Sequence, residues 1–90
     1  MKEVIYVDDN AIQISRIHKV DGDSKLKAFV DLSLSGIVVT GLRVVYGSKG
    51  LFVGMPRHQG KDGKWYNTVI PLKRDIKDTI ERIVLEAYGS

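Results

Sequence analysis

The chain has 90 residues, no cysteine and a formal net charge of +3, with a sequence pI of 9.3. Such a length fits one domain with a thin core, and the missing cysteines exclude a disulfide framework and thiolate chemistry. No apolar run approaches the ~20 residues that span a bilayer, and a hydrophobic content of 43% argues against disorder.

In chain order, MKEVIYVDDN forms a lead-in in which Val4 to Val7 allow a short strand. Asp8, Asp9 and Asn10 then interrupt the apolar stretch, so no signal peptide is expected. AIQISRIHKV sets Ile12 and Ile14 against Gln13 and Ser15, which predicts a strand. Asp21-Gly22-Asp23-Ser24 has turn chemistry. Leu26, Ala28, Val30, Leu32 and Leu34 then alternate with Lys25, Lys27, Phe29, Asp31 and Ser33, a strand with one buried face. Ser35-Gly36 predicts a tight turn into the β-branched run Ile37 to Tyr46. Gly41 inside that run implies a bulge or the close approach of another backbone.

Gly47-Ser48-Lys49-Gly50 is a further turn, and Leu51 to Met55 the next strand. Pro56 cannot donate to a ladder, so pairing ends or reaches an edge there. Asp62-Gly63 predicts a tight turn, with Lys64 to Ile70 returning as a strand and Arg57 to Lys64 as a protruding tip. After Pro71 a helix is expected, its apolar stripe formed by Ile76, Ile80, Ile83, Val84 and Ala87. Asp75 suits its positive end and Gly89 its stop, while Leu85 falls opposite the stripe as a candidate subunit contact. The expected architecture is α+β: one antiparallel β-meander closed by one main C-terminal helix, in a single domain spanning 1–90.

No catalytic constellation emerges. His18 lies in a predicted strand and His58 in the tip, Asp8-Asp9 and Asp21-x-Asp23 lack the remainder of a calcium loop, and Gly47, Gly50 and Gly54 do not form a phosphate loop. The chain therefore reads as a non-enzyme with no cofactor and no metal.

The charge is unevenly placed. Residues 1–48 carry six basic and six acidic side chains; residues 49–82 carry eight and four. Polyanions are natural partners for such an excess, although a modest one also serves solubility. Arg57, His58, Lys61 and Lys64 surround Gly60 and Gly63, with Trp65 and Tyr66 as a possible stacking surface. The same residues would equally suit a solvated hairpin with aromatics packed in its sheet. On the helix, Lys73, Arg74, Lys77 and Arg82 add cations, but Arg74/Asp78, Lys77/Glu81 and Asp78/Arg82 stand four residues apart and would neutralise one another.

The run GLFVGMP at 50–56, the DG pair, Pro71-Leu72 and the helix ending IVLEAY at 83–88 resemble the SpoVG family of bacterial septation and sporulation regulators. The family pattern, G-L-F-V-A-M-P, a basic loop, D-G, P-I and a helix ending V-L-x-E-Y, aligns without a gap from Gly50 to Tyr88. SRIHKV at 15–20, KLKAFVDLSL at 25–34 and LRVVYGSKG at 42–50 resemble its first strands, leaving residues 1–10 as an extra lead-in. The resemblance implies a small cytoplasmic homodimer that binds DNA and RNA and modulates gene expression, without catalysis, membrane attachment or a small-molecule substrate.

Carried over by position, the family's basic pair after M-P falls on His58 and Gln59, and the basic residue early in its helix on Lys77. Gln59 is uncharged and histidine is not a permanent cation; Arg57 and Lys61 supply charge beside them. The family's D-I-A-H before the proline is Asn67-Thr68-Val69-Ile70 here. The expected nucleic-acid surface is Arg57, His58, Lys61, Lys64, Lys73, Arg74 and Lys77. The competing expectation is a protein-interaction module in division or envelope control that binds no nucleic acid.

Overall fold

A tight turn with both central residues in the left-handed region starts the sheet: Ser35 has φ 51° and Gly36 φ 84°. That backbone twist matches the right-handed twist of paired strands. It joins β2 (Leu26–Leu34) to β3 (Ile37–Gly47). The computed structural model describes residues 12–89; the lead-in strand expected near Val4 to Val7 lies outside them. β1 (Ile12–Lys19) and β4 (Gly50–Gly54) complete an antiparallel sheet in the order β1-β2-β3-β4. The α+β architecture is as expected, with one helix, α1 (Arg74–Tyr88).

Two of three register shifts keep the apolar side chains on one face. β1 gains a residue between Ile14 and Arg16, so Ile17 faces the core although strict alternation from Ile14 would turn it outward. β2 gains one between Leu26 and Ala28, which pairs Leu26 with Val45 and takes Leu26, expected on the buried face, out of the core. β3 gains one between Val39 and Leu42, where Gly41 has φ 91°, confirming the expected bulge. A side chain at Gly41 would find ordinary van der Waals room beside Pro56, 3.7 Å away, so the backbone conformation is what calls for glycine.

The core lies between this face and the helix. Ala28, Val30 and Leu32, Leu42 and Val44, Val53 and Ile12 meet Ile80 and Val84, all buried. Ile76 and Ile83 pack against them, as the helical spacing requires. Leu85 differs from expectation. It is half-buried and packs on the core, because α1 crosses β1, β3 and β4 and a residue about 100° round from Val84 still meets the sheet. Gly89 does end the helix, but with φ −78°, its N–H bonded to Leu85 O at 3.0 Å, so left-handed freedom plays no part.

The expected single meander is divided. Pairing of β3 with β4 stops at Gly54, and the chain after Pro56 forms a separate two-stranded sheet from β5 (Arg57–Gln59) and β6 (Trp65–Asn67). Thr68 N–H donates to Pro56 O at 2.9 Å. Proline has no N–H to return, so the ladder ends there, and the return strand is three residues long instead of extending to Ile70. β4 is also less enclosed than its composition implies: Leu51 and Phe52 are exposed and Val53 is buried.

Candidate nucleic-acid interface

A two-stranded hairpin alone is marginally stable in water, so β5–β6 needs local supports. Its five-residue connection contains two backbone bonds, Gly60 N–H to Lys64 O at 2.8 Å and Gly63 N–H to Gly60 O at 3.0 Å. Lys61 and Asp62 are therefore the central turn residues, and Gly63, at φ 83°, is the left-handed residue that follows. The expected Asp62-Gly63 turn is thus displaced by one residue. Gln59 Nε2 donates to Gly63 O at 3.0 Å, and Lys64 N–H donates to Asp62 Oδ1 at 2.9 Å.

The Tyr66 hydroxyl donates to Asp62 Oδ2. This bond, with the Lys64 amide, holds the Asp62 carboxyl below its ordinary pKa, and the same bond raises that of Tyr66. The one carboxylate of the hairpin is consequently engaged. Gly60 lies close enough to this pair that an added Cβ would stand 2.8 Å from the Tyr66 ring.

Strand alternation sorts the remaining side chains. Arg57, Gln59, Trp65 and Asn67 share one face, and His58 and Tyr66 the other. The Arg57 guanidinium sits 4.7 Å above the Trp65 ring, and the His58 and Tyr66 rings are 6.3 Å apart. Trp65 is 55% exposed and Tyr66 45%. Neither aromatic is buried in a sheet, so both offer ring surface to solvent. Lys61 and Lys64 are exposed at the tip.

The helical cations divide into two places. Lys73 is the N-cap residue and Arg74 the first helical residue, both exposed. Lys77 lines a cleft of about 370 Å³ where β4 leaves the sheet, together with Arg57 and Arg43. Arg43 is the residue that sequence reasoning missed. It pairs across the ladder with Gly54, and its Nη2 donates to Met55 O at 3.2 Å. Partial burial lowers its pKa, and the Arg57 charge lowers it further. The available signal was its alternation with buried Leu42 and Val44, which puts it on the opposite face of β3. Among the described residues, the helix ion pair is Arg82 to Glu86 at 3.5 Å rather than the three pairs expected, which leaves Arg74 and Lys77 without a carboxylate in contact.

No helix among the described residues is long and apolar enough to cross a membrane. Comparison with known proteins adds a family. The SpoVG family model matches residues 11–90. A protein of Symbiobacterium thermophilum is 45% identical over 76 residues, which cover 83% of this chain and 54% of that one. One from Archaeoglobus fulgidus is 42% identical over 74 residues, 81% of this chain and 87% of its own. One from Myxococcus xanthus is 39% identical over 74 residues, 81% and 74%. Each carries the name "Putative septation protein SpoVG". The chain spans about half the length of the first relative and most of the other two.

Proposed function

This chain belongs to the SpoVG family, and from that premise we propose that it is a dimeric nucleic-acid-binding regulator connected with septation and sporulation in the cytoplasm. The observation that carries the reading is the hairpin. It lies outside the main sheet and exposes Arg57, His58, Lys61 and Lys64 beside two open aromatic rings, while its one carboxylate is engaged by Tyr66 and Lys64. Cations neutralise phosphates and open rings stack on unpaired bases. Lys73 and Arg74 add charge at the positive end of the helix dipole. The relatives' names support the link to septation. The test is titration with labelled duplex and single-stranded DNA and RNA over a salt series: affinity falls steeply with salt if phosphates are the partners, and an absence of binding at low salt refutes the reading.

A specific observation also favours association through an apolar surface. Leu34, Met55, Ile70, Leu72 and Ile76 line one groove, with Ile70 73% and Leu72 89% exposed. The occupant that fits the dimeric reading is a second copy of this chain; the competing occupant is a protein partner in division or envelope control.

A further inference from the structure

The cleft at the end of β4 holds three cations and no acid. Arg43 reaches it from β3, Arg57 from the hairpin and Lys77 from the helix, and no Asp or Glu is among its lining residues. Like charges gathered without a counter-charge repel, and an anion placed among them relieves that repulsion.

Donor geometry adds to this. Arg57 makes its contact through the face of the Trp65 ring, and none of its N–H groups donates to an acceptor among the described residues. Arg43 donates through Nη2 to Met55 O, leaving further guanidinium donors. Planar guanidinium groups suit a tetrahedral oxyanion.

Room for Arg43 depends on Gly54. A Cβ at that position would lie 2.4 Å from Arg43 Nη2 and 2.7 Å from its guanidinium carbon. The glycine is what permits the guanidinium to lie across the strand end.

We infer that this cleft is a phosphate subsite, in which one phosphoryl group is held by Arg43 and Arg57 with Lys77 at its side. The inference deepens the nucleic-acid reading and rests on it for the source of that phosphate, a nucleic-acid backbone instead of a free anion. Arg43 then contributes to binding from a strand that lies outside both the hairpin and the helix.

The test observes the arginine Nε–Hε resonances of the full chain by NMR, during titration first with inorganic phosphate and then with a short oligothymidylate. Gly54→Ala displaces the Arg43 guanidinium without removing a charge, and a changed Arg43 resonance in the free variant verifies the displacement. Arg43→Met is the second variant.

The expected result is that both probes shift Arg43 and Arg57 together, and that each variant weakens both probes about tenfold, the worth of one lost charge-assisted hydrogen bond. If phosphate moves the pair but the oligonucleotide does not bind, the anion site stands and the nucleic-acid reading falls. If the oligonucleotide binds all forms equally and Arg43 is silent, the subsite is refuted and the hairpin reading survives. Binding of neither probe refutes both.

Discussion

Replacing Arg57, Lys61, Lys73 and Arg74 with alanine tests the basic surface directly. All four side chains are exposed, and the ion pair found among the described residues lies elsewhere, between Arg82 and Glu86. Each phosphate contact contributes ~0.9 to the slope of log K against log salt for duplex DNA and ~0.7 for single strands, so the slope flattens by up to ~3.6 or ~2.8. The stability cost is small. Lys61, Lys73 and Arg74 each cost within ~0.5 kcal/mol as surface residues. Arg57 also loses its seat over Trp65, worth ~0.5–1 kcal/mol at an exposed site.

A loss of that size leaves a domain of ordinary stability folded. Binding weakens for every sequence alike, because phosphate contacts orient a protein without reading bases. The control is Lys25→Ala with Lys27→Ala, outside the hairpin and the cleft. The Lys25 and Lys27 carbonyls accept backbone bonds from Tyr46 and Val20, which alanine leaves in place. Fluorescence anisotropy at several salt concentrations, with thermal melts for folding, makes the measurement. A folded fourfold variant with the parent's affinity and salt slope refutes the reasoning and advances the protein-interaction reading.

Three further outcomes are expected. Asp62→Asn removes the charged acceptor of the Tyr66 hydroxyl, so the raised Tyr66 pKa returns toward the ordinary value of about 10, read by ultraviolet or NMR titration; an unchanged Tyr66 titration contradicts the pairing. In the parent, the depressed Asp62 pKa means that its support of the tip is present above the unfolded carboxyl pKa of ~3.9 and is lost as pH falls through the lower folded value, whereas the Tyr66 support is complete below ~10 and is lost as pH rises through the higher folded value. Leu42→Ala, at a fully buried core position, costs about 2–5 kcal/mol and lowers the melting temperature by at least ~8 °C, and a shift under ~4 °C contradicts the assigned core. Leu72→Ser weakens association of two copies in sedimentation equilibrium if the apolar groove is their contact, and an unchanged mass places that contact elsewhere.

Much of this fold is written in local patterns. Period-two alternation from Leu26 to Leu34, helical spacing from Ile76 to Val84 and the turn residues Ser35-Gly36 each act over a few positions, so the elements follow from the sequence alone. Gly41 announced its bulge for the same reason, since its demand is set by its own backbone. The exposed basic tip was equally legible: Arg57, Lys61 and Lys64 cluster along the chain itself.

Tertiary structure decided the rest. Pro56 signalled an interruption, but only the pairing partners show that β5 and β6 leave the main sheet, because ladder formation depends on which strands lie alongside. Leu85 opposes the apolar stripe on a helical wheel, yet the breadth of the sheet beneath α1 determines how wide a face is covered. The Arg43, Arg57 and Lys77 cleft had no signature in the chain, since its members come from β3, the hairpin and the helix. Their meeting depends on the register that sets Arg43 opposite Gly54. Local propensity specifies elements one at a time, whereas a site assembled from distant positions exists only once those elements pack.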